Sequence, residues 1–285
     1  MWGRAGKVFV VDPERDKVSV VDPHNDFSIM SSFDMTPAGL NPHSLVVTPD
    51  EGKLYVAVEQ PAPQGVVRIV ELNETKGYPA HSIDGVNCPE GLAISPDGRK
   101  LYVASQCASG QDPVFVIDTK TDKVVKAIAG FAVGLDIVIA QEGRRLYVER
   151  GSFYQPDPST GAIVTMPAKL SSVDTTNNHE KEKSEETQLL REALLLKAGS
   201  DPVTPGPFAV TPDGKYLLVA VGSSVRIVNT ARHDKWAVDR LGDTACGYCG
   251  RYTEGQEKLG ILHLATTRTQ IAYDWLKWIL AGINN

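Results

Sequence analysis

Three observations in this 285-residue chain predict an all-β fold, a β-propeller of four-stranded blades. First, one hairpin recurs, as TPDEGKLYVAV at 48–58, SPDGRKLYVAS at 95–105 and TPDGKYLLVAV at 211–221. Second, the basic residues that open the later strand of each copy, Lys7, Lys53, Lys100, Arg145, Lys215 and Lys258, stand 46, 47, 45, 70 and 43 residues apart. Third, polarity rises across each unit, from a nearly continuous apolar strand to polar ones. A turn-plus-strand period in the forties marks a solenoid or propeller. Units with one buried and one polar edge shield their edges best when arranged radially.

Each unit reads as four strands. The inner strand is HSLVV, EGLAI, LDIVI or GPFAV, apolar almost throughout, as expected where both faces are buried. A Pro-Asp-Gly turn follows: Pro fixes φ, Asp bonds back to the backbone and Gly relieves strain at the exit. One copy replaces it with AQEG at 140–143. The second strand is the KLYVA segment. The third alternates and ends in an acid or Asn: VSVVD, VRIVE, VFVID, VRIVN. The fourth is weaker, as in KVVKAIAG at 123–130. Six second strands but five inner strands are visible, because the first unit opens at its second strand. This predicts about six units, either in a ring with unusual closure or as an incomplete copy of a seven-bladed one.

The propeller is expected over 1–266. Ile271, Trp275, Trp278, Ile279 and Ile283 fall at helical spacing, which predicts an amphipathic helix over 267–285. The interval of 70 places an insertion at 167–202. Its first part, SSVDTTNNHEKEKSEETQ, reads as a solvated loop. Its second, EETQLLREALLLKAGSDP, reads as a helix with Leu189, Leu190, Leu194, Leu195 and Leu196 on one face. That helix packs on its own propeller, or serves as a lid or a docking element.

Lys and Arg number 29 against 35 Asp and Glu, a net charge of −6, so a nucleic-acid surface is not suggested. No apolar run reaches about 18 residues, so no membrane span is expected. The start, MWGRAGKVFVVD, shows no signal peptide; the chain as given reads as cytoplasmic, and as extracytoplasmic if an upstream segment is missing.

Propellers bind ligands where the inner strands begin. There His43, Glu90, Leu135, Gly206 and Tyr248 are equivalent, each preceded by Pro or Gly, and Asp136 stands one residue further on. An imidazole, a carboxylate and a phenol at one funnel make His43, Glu90 and Tyr248 ligand-binding candidates. His43, Glu90 and Asp136 are the catalytic candidates. The plain alternative is a solvated funnel. A divalent cation such as calcium or zinc fits His43 and Glu90, but no metal-ligand motif is present. Neither a Ser-His-Asp order nor GxSxG appears.

Cys88 and Cys107 lie equally far from the turn centre between Asp97 and Gly98, so a regular hairpin puts them opposite each other as a disulfide candidate. Cys246-Gly-Tyr-Cys249 lacks the following His of a haem attachment site, since Gly250 stands there. It reads first as structural thiols or a local disulfide.

SPDGRKLYVAS followed by VFVIDTKTDKVVKAI resembles the repeat of the YVTN family of β-propellers, and the resemblance covers about 7–165 and 203–241. It implies the architecture and is broad for activity, since the family includes surface proteins and ligand binders. Related seven-bladed propellers include lactonases and haem- or quinone-dependent oxidoreductases. Two expectations follow. One is a non-catalytic scaffold binding a small ligand or a protein partner at the channel face. The other is a lactonase-like hydrolase using the His43/Glu90 funnel, with or without a divalent cation.

Overall fold

The structure is a computed structural model that describes residues 7–35, 41–59, 65–72, 79–107, 112–131, 134–140, 143–150, 153–166, 169–176, 179–180, 205–210, 216–221, 224–229 and 235–238. The described residues form antiparallel sheets and no helix. The first sheet has three strands, β1 (Val8–Asp12), β2 (Lys17–Asp22) and β3 (Ser28–Asp34). The second has four, β4 (Pro42–Val47), β5 (Lys53–Val58), β6 (Val66–Glu71) and β7 (Pro79–Ile83). The third repeats it with β8 (Pro89–Ile94), β9 (Lys100–Ser105), β10 (Val114–Asp118) and β11 (Lys123–Ile128). In the fourth, β12 (Gly134–Ala140) and β13 (Arg145–Arg150) are followed by a separate hairpin, β14 (Phe153–Pro156) with β15 (Ile163–Met166). The sheet then resumes with β16 (Lys169–Asp174) and β17 (His179–Glu180). The fifth is β18 (Pro205–Val210), β19 (Tyr216–Val221), β20 (Ser224–Asn229) and β21 (Lys235–Val238). The inner strands β4, β8, β12 and β18 contact one another in that order. This is the blade architecture of a propeller.

The second strand of each blade explains how the blades stack. Side chains alternate between the two faces of a strand, so β5 sends Leu54, Val56 and Val58 toward the first blade, where they join Phe9 and Val18. Tyr55 and Ala57 point the other way, onto Leu101 and Val103 of the third blade. The pattern steps along: Tyr102 and Ala104 meet Leu146 and Val148, and Tyr147 meets Leu217 and Val219. The aromatic of the KLYVA segment is thus a wedge between blades, and Tyr55, Tyr102 and Tyr147 are fully buried. Burial raises the hydroxyl of each above the usual phenol range, that of Tyr102 to about 12.

Turn chemistry fixes the outer ends of the inner hairpins. The Ser95 hydroxyl donates to Asp97 Oδ1 at 2.6 Å, and Gly98 N–H donates to the Ser95 carbonyl at 2.8 Å. Thr48 and Asp50 repeat the hydroxyl–carboxylate bond at 2.5 Å. Held by that hydroxyl first and then by backbone N–H groups, both carboxyls sit below their usual range. Gly98 has φ +72, and its Cα faces Pro49 of the preceding blade so closely that a Cβ would lie 3.0 Å from the ring. Successive turns therefore nest.

A polar latch ties the second blade to the third at this end. Asp122, in the β10–β11 turn, accepts from Lys53 Nζ at 2.6 Å and from the Tyr55 hydroxyl at 2.7 Å. Lys53 also donates to the Thr119 carbonyl at 3.1 Å.

The fourth blade departs from the sequence expectation. Residues 169–174, assigned above to a solvated insertion, form β16, paired with β13 from Arg145↔Asp174 to Arg150↔Lys169. Ser171 and Ser172 stand where β10 has Phe115 and Val116, which hides the strand's apolar alternation. Among the described residues, the excursion is instead the β14–β15 hairpin. Asp157 closes its tip by accepting from the Ser159 hydroxyl and from Thr160 N–H, which holds its carboxyl down to about 2. The helices expected within 185–200 and over 267–285 lie outside the described residues.

Candidate functional site

Every described inner strand opens with a register irregularity against its neighbour. The breaks fall between Pro42 and Ser44, Pro89 and Leu92, Gly134 and Ile137, and Pro205 and Phe208. Bulges bend a strand and re-aim side chains. The candidate positions His43, Glu90, Leu135 and Gly206 all fall within these irregular stretches, as does Asp136. The Pro or Gly before each break fits an edge where no ladder bond is needed.

His43 and Glu90, on neighbouring blades, meet. His43 Nε2 lies 2.9 Å from the Pro89 carbonyl and 3.6 Å from Glu90 Oε2. Its Nδ1 lies 3.3 Å from the Asn41 carbonyl. The ring is 10% exposed, and it bridges β4 and β8. A neutral imidazole donates from one nitrogen only, whereas the imidazolium donates from both; here both nitrogens face carbonyl oxygens.

The next pair of inner strands touches still more closely. A Cβ on Gly91 would lie 2.9 Å from the Asp136 Cα, so β8 and β12 approach backbone to backbone. Asp136 Oδ1 accepts from Ile137 N–H at 2.8 Å. Burial, with a smaller push from the Glu90 charge, raises the Asp136 carboxyl to about 6. Glu149 of β13 lies across from this break, is 6% exposed, and is raised by burial and then by the Asp136 charge to about 8. Glu149 has no hydrogen bond or ion pair among the described residues. A line of polar groups, His43, Glu90, Asp136 and Glu149, thus crosses three blades where their inner strands begin. No group of three or more His, Cys, Asp or Glu suited to a metal ion occurs among the described residues.

Cys88 and Cys107 are joined by a disulfide at this same end, with Cα atoms 5.3 Å apart. Gln106 N–H donates to the Cys88 carbonyl at 2.9 Å, so bridge and backbone bond together fasten the mouth of the third blade. Tyr248, Cys246 and Cys249 lie outside the described residues.

The fold is shared with solved structures. Hydrazine synthase from Kuenenia stuttgartiensis is similar with a TM-score of 0.61 and 21% identity, over 80% of this chain and 62% of that one. A structure of the mitotic checkpoint complex matches with a TM-score of 0.56 and 14% identity, over 82% of this chain and 60% of that one. A functionally unknown protein from Desulfotomaculum acetoxidans matches with a TM-score of 0.52 and 13% identity, over 84% and 80%. The chain therefore spans less than two thirds of the hydrazine synthase chain. No protein-family model and no curated protein matches the sequence. At these identities the likeness is one of fold.

Sequence reasoning passed over Glu149, although a signal was present. The second strands read KLYVAV, KLYVAS and RLYVER, and only the last puts charges where the others have Ala-Val or Ala-Ser. Its companion Arg150 is also buried, stacks on Phe131 at 5.8 Å, and donates to the Ser171 hydroxyl at 3.4 Å. The serines that hide β16 thus include one that receives this guanidinium.

Proposed function

We propose that the chain is a non-catalytic propeller scaffold that binds a small ligand or a protein partner at the channel face, over the rim formed by His43, Glu90 and Asp136. The observation that carries this reading is the placement of His43. With both ring nitrogens against backbone carbonyls, at 2.9 and 3.3 Å, the imidazole braces two blades and is poorly placed to accept a proton from a substrate. The YVTN-type repeat supports the same use, since that architecture presents loops and inner-strand starts as a binding surface. That one similar fold occurs in the mitotic checkpoint complex, an assembly by name, is compatible with a protein partner.

Lactonase-like hydrolysis is the second reading. It is favoured by the Asp136 carboxyl, raised to about 6 beside Glu90 and so able to hold or release a proton near neutrality. A divalent cation at the rim is part of that reading alone.

One experiment separates them. The full chain and Glu90→Gln are assayed for hydrolysis of a lactone panel with and without calcium or zinc, and screened for ligand-dependent shifts of the thermal midpoint. The scaffold reading expects only background hydrolysis from both proteins and a ligand shift that Glu90→Gln loses. Turnover by the wild type that disappears in Glu90→Gln overturns it in favour of the hydrolase.

A further inference from the structure

At the opposite end of the same strands, a second feature repeats from blade to blade, and one copy lacks a charge. Between the second and third blades, a groove of about 480 Å³ is lined by Thr48, Asp50, Lys53, Asp97 and Thr119. Its lysine is neutralised from within: Lys53 Nζ meets Asp122 Oδ2 at 2.6 Å and Glu71 at 3.9 Å. Between the third and fourth blades, a groove of about 370 Å³ is lined by Ser95, Asp97, Lys100, Tyr102, Gly143 and Thr175.

The two grooves correspond residue by residue. Lys100 and Tyr102 open β9 as Lys53 and Tyr55 open β5. Thr175 donates to the Gly143 carbonyl as Thr119 donates to the Gly98 carbonyl. The turn closed by the Asp174↔His179 pair has the same length as the turn closed by Asp118↔Lys123. The position matching Asp122 is therefore 178, and the sequence has Asn there.

Lys100 is half-buried and has no ion pair among the described residues. The nearby acids are held by their own turns: Asp97 Oδ1 by the Ser95 hydroxyl and Arg99 N–H, and Asp118 Oδ1 by Lys120 N–H and Thr121 N–H. Where Tyr55 donates to a carboxylate, Tyr102 is bonded to the Thr175 hydroxyl. A half-buried ammonium without a counter-charge is costly, and a charge-assisted bond to a carboxylate relieves the cost.

We propose that the groove between the third and fourth blades binds a small carboxylate, which occupies beside Lys100 the place that the Asp122 side chain occupies beside Lys53. This site is separate from the channel face, and neither reading depends on the other.

The repeat supplies its own test. Thermal midpoints of the full chain are followed against sodium acetate, with ionic strength held constant by sodium chloride and inorganic phosphate as a parallel probe. Wild type shows a saturable rise with acetate. Lys100→Gln weakens that response by roughly tenfold. Asn178→Asp, which supplies the carboxylate internally, raises the midpoint without acetate and abolishes the response. Asp122→Asn opens a second acetate response in the neighbouring groove. Absence of a saturable response in wild type, or a response kept in Lys100→Gln or Asn178→Asp, overturns the proposal. A response to phosphate but not to acetate overturns the assignment to carboxylates.

Discussion

Replacing Glu149 by Gln is expected to make the protein more stable at neutral and alkaline pH, and the size of the gain follows from its surroundings. The side chain is 6% exposed, and its one ionisable neighbour named by the electrostatics is another acid, Asp136. Burial raises the carboxyl from 4.5 to about 8. The folded chain therefore binds more protons than the unfolded one between those two values. By linkage, stability falls as pH rises through that window and levels off above it. At pH 7 nearly the whole penalty is in place, on the order of 3 kcal/mol. Gln keeps the shape of the protonated acid and cannot ionise. Urea unfolding midpoints measured from pH 5 to pH 9 should converge for the two proteins at pH 5 and separate progressively above it, with the variant the more stable. Wild-type and variant curves that run parallel across the whole range would refute the argument.

Other perturbations test the seams and turns. Asp122→Asn removes the acceptor for both Lys53 and Tyr55 and should lower stability by about 2 kcal/mol, read from the urea midpoint. Gly98→Ala places a methyl group 3.0 Å from the Pro49 ring at a φ of +72, and a loss of about 1–2 kcal/mol is expected in thermal melts. Replacing Cys88 and Cys107 together by Ser opens a bridge across a separation of 19 residues. Under non-oxidising and oxidising conditions alike the double variant should then melt as the reduced wild type does, about 3 kcal/mol below the oxidised form.

How much could be read in advance depended on the range of the chemistry involved. The repeated hairpins were legible because Thr48 or Ser95, the following Pro, and Asp50 or Asp97 act within five residues of one another. The Cys88–Cys107 geometry followed from counting outward along a regular hairpin. His43 and Glu90 were placed side by side by the repeat alignment alone, and they do meet, at 3.6 Å. What the alignment did not supply was the use of the imidazole, because its partners are carbonyls, including one from the next blade, and no residue type announces a carbonyl. The bulges were invisible for a similar reason: they answer crowding at the axis, such as Gly91 against Asp136. β16 escaped because hydrophobic alternation is the usual mark of a strand, and Ser171 and Ser172 erase it while remaining fully buried.

The β14–β15 hairpin leaves the fourth blade after Arg150 and returns at Lys169, two residues that face each other on adjacent strands. Its two feet are one rung apart whatever it carries between them. Lengthening such a detour adds only logarithmically to its closure entropy, so this is a socket that accepts cargo. A folded tag or a foreign epitope spliced between Ser159 and Thr160 would ride outside the sheet and leave the host's ladder in register.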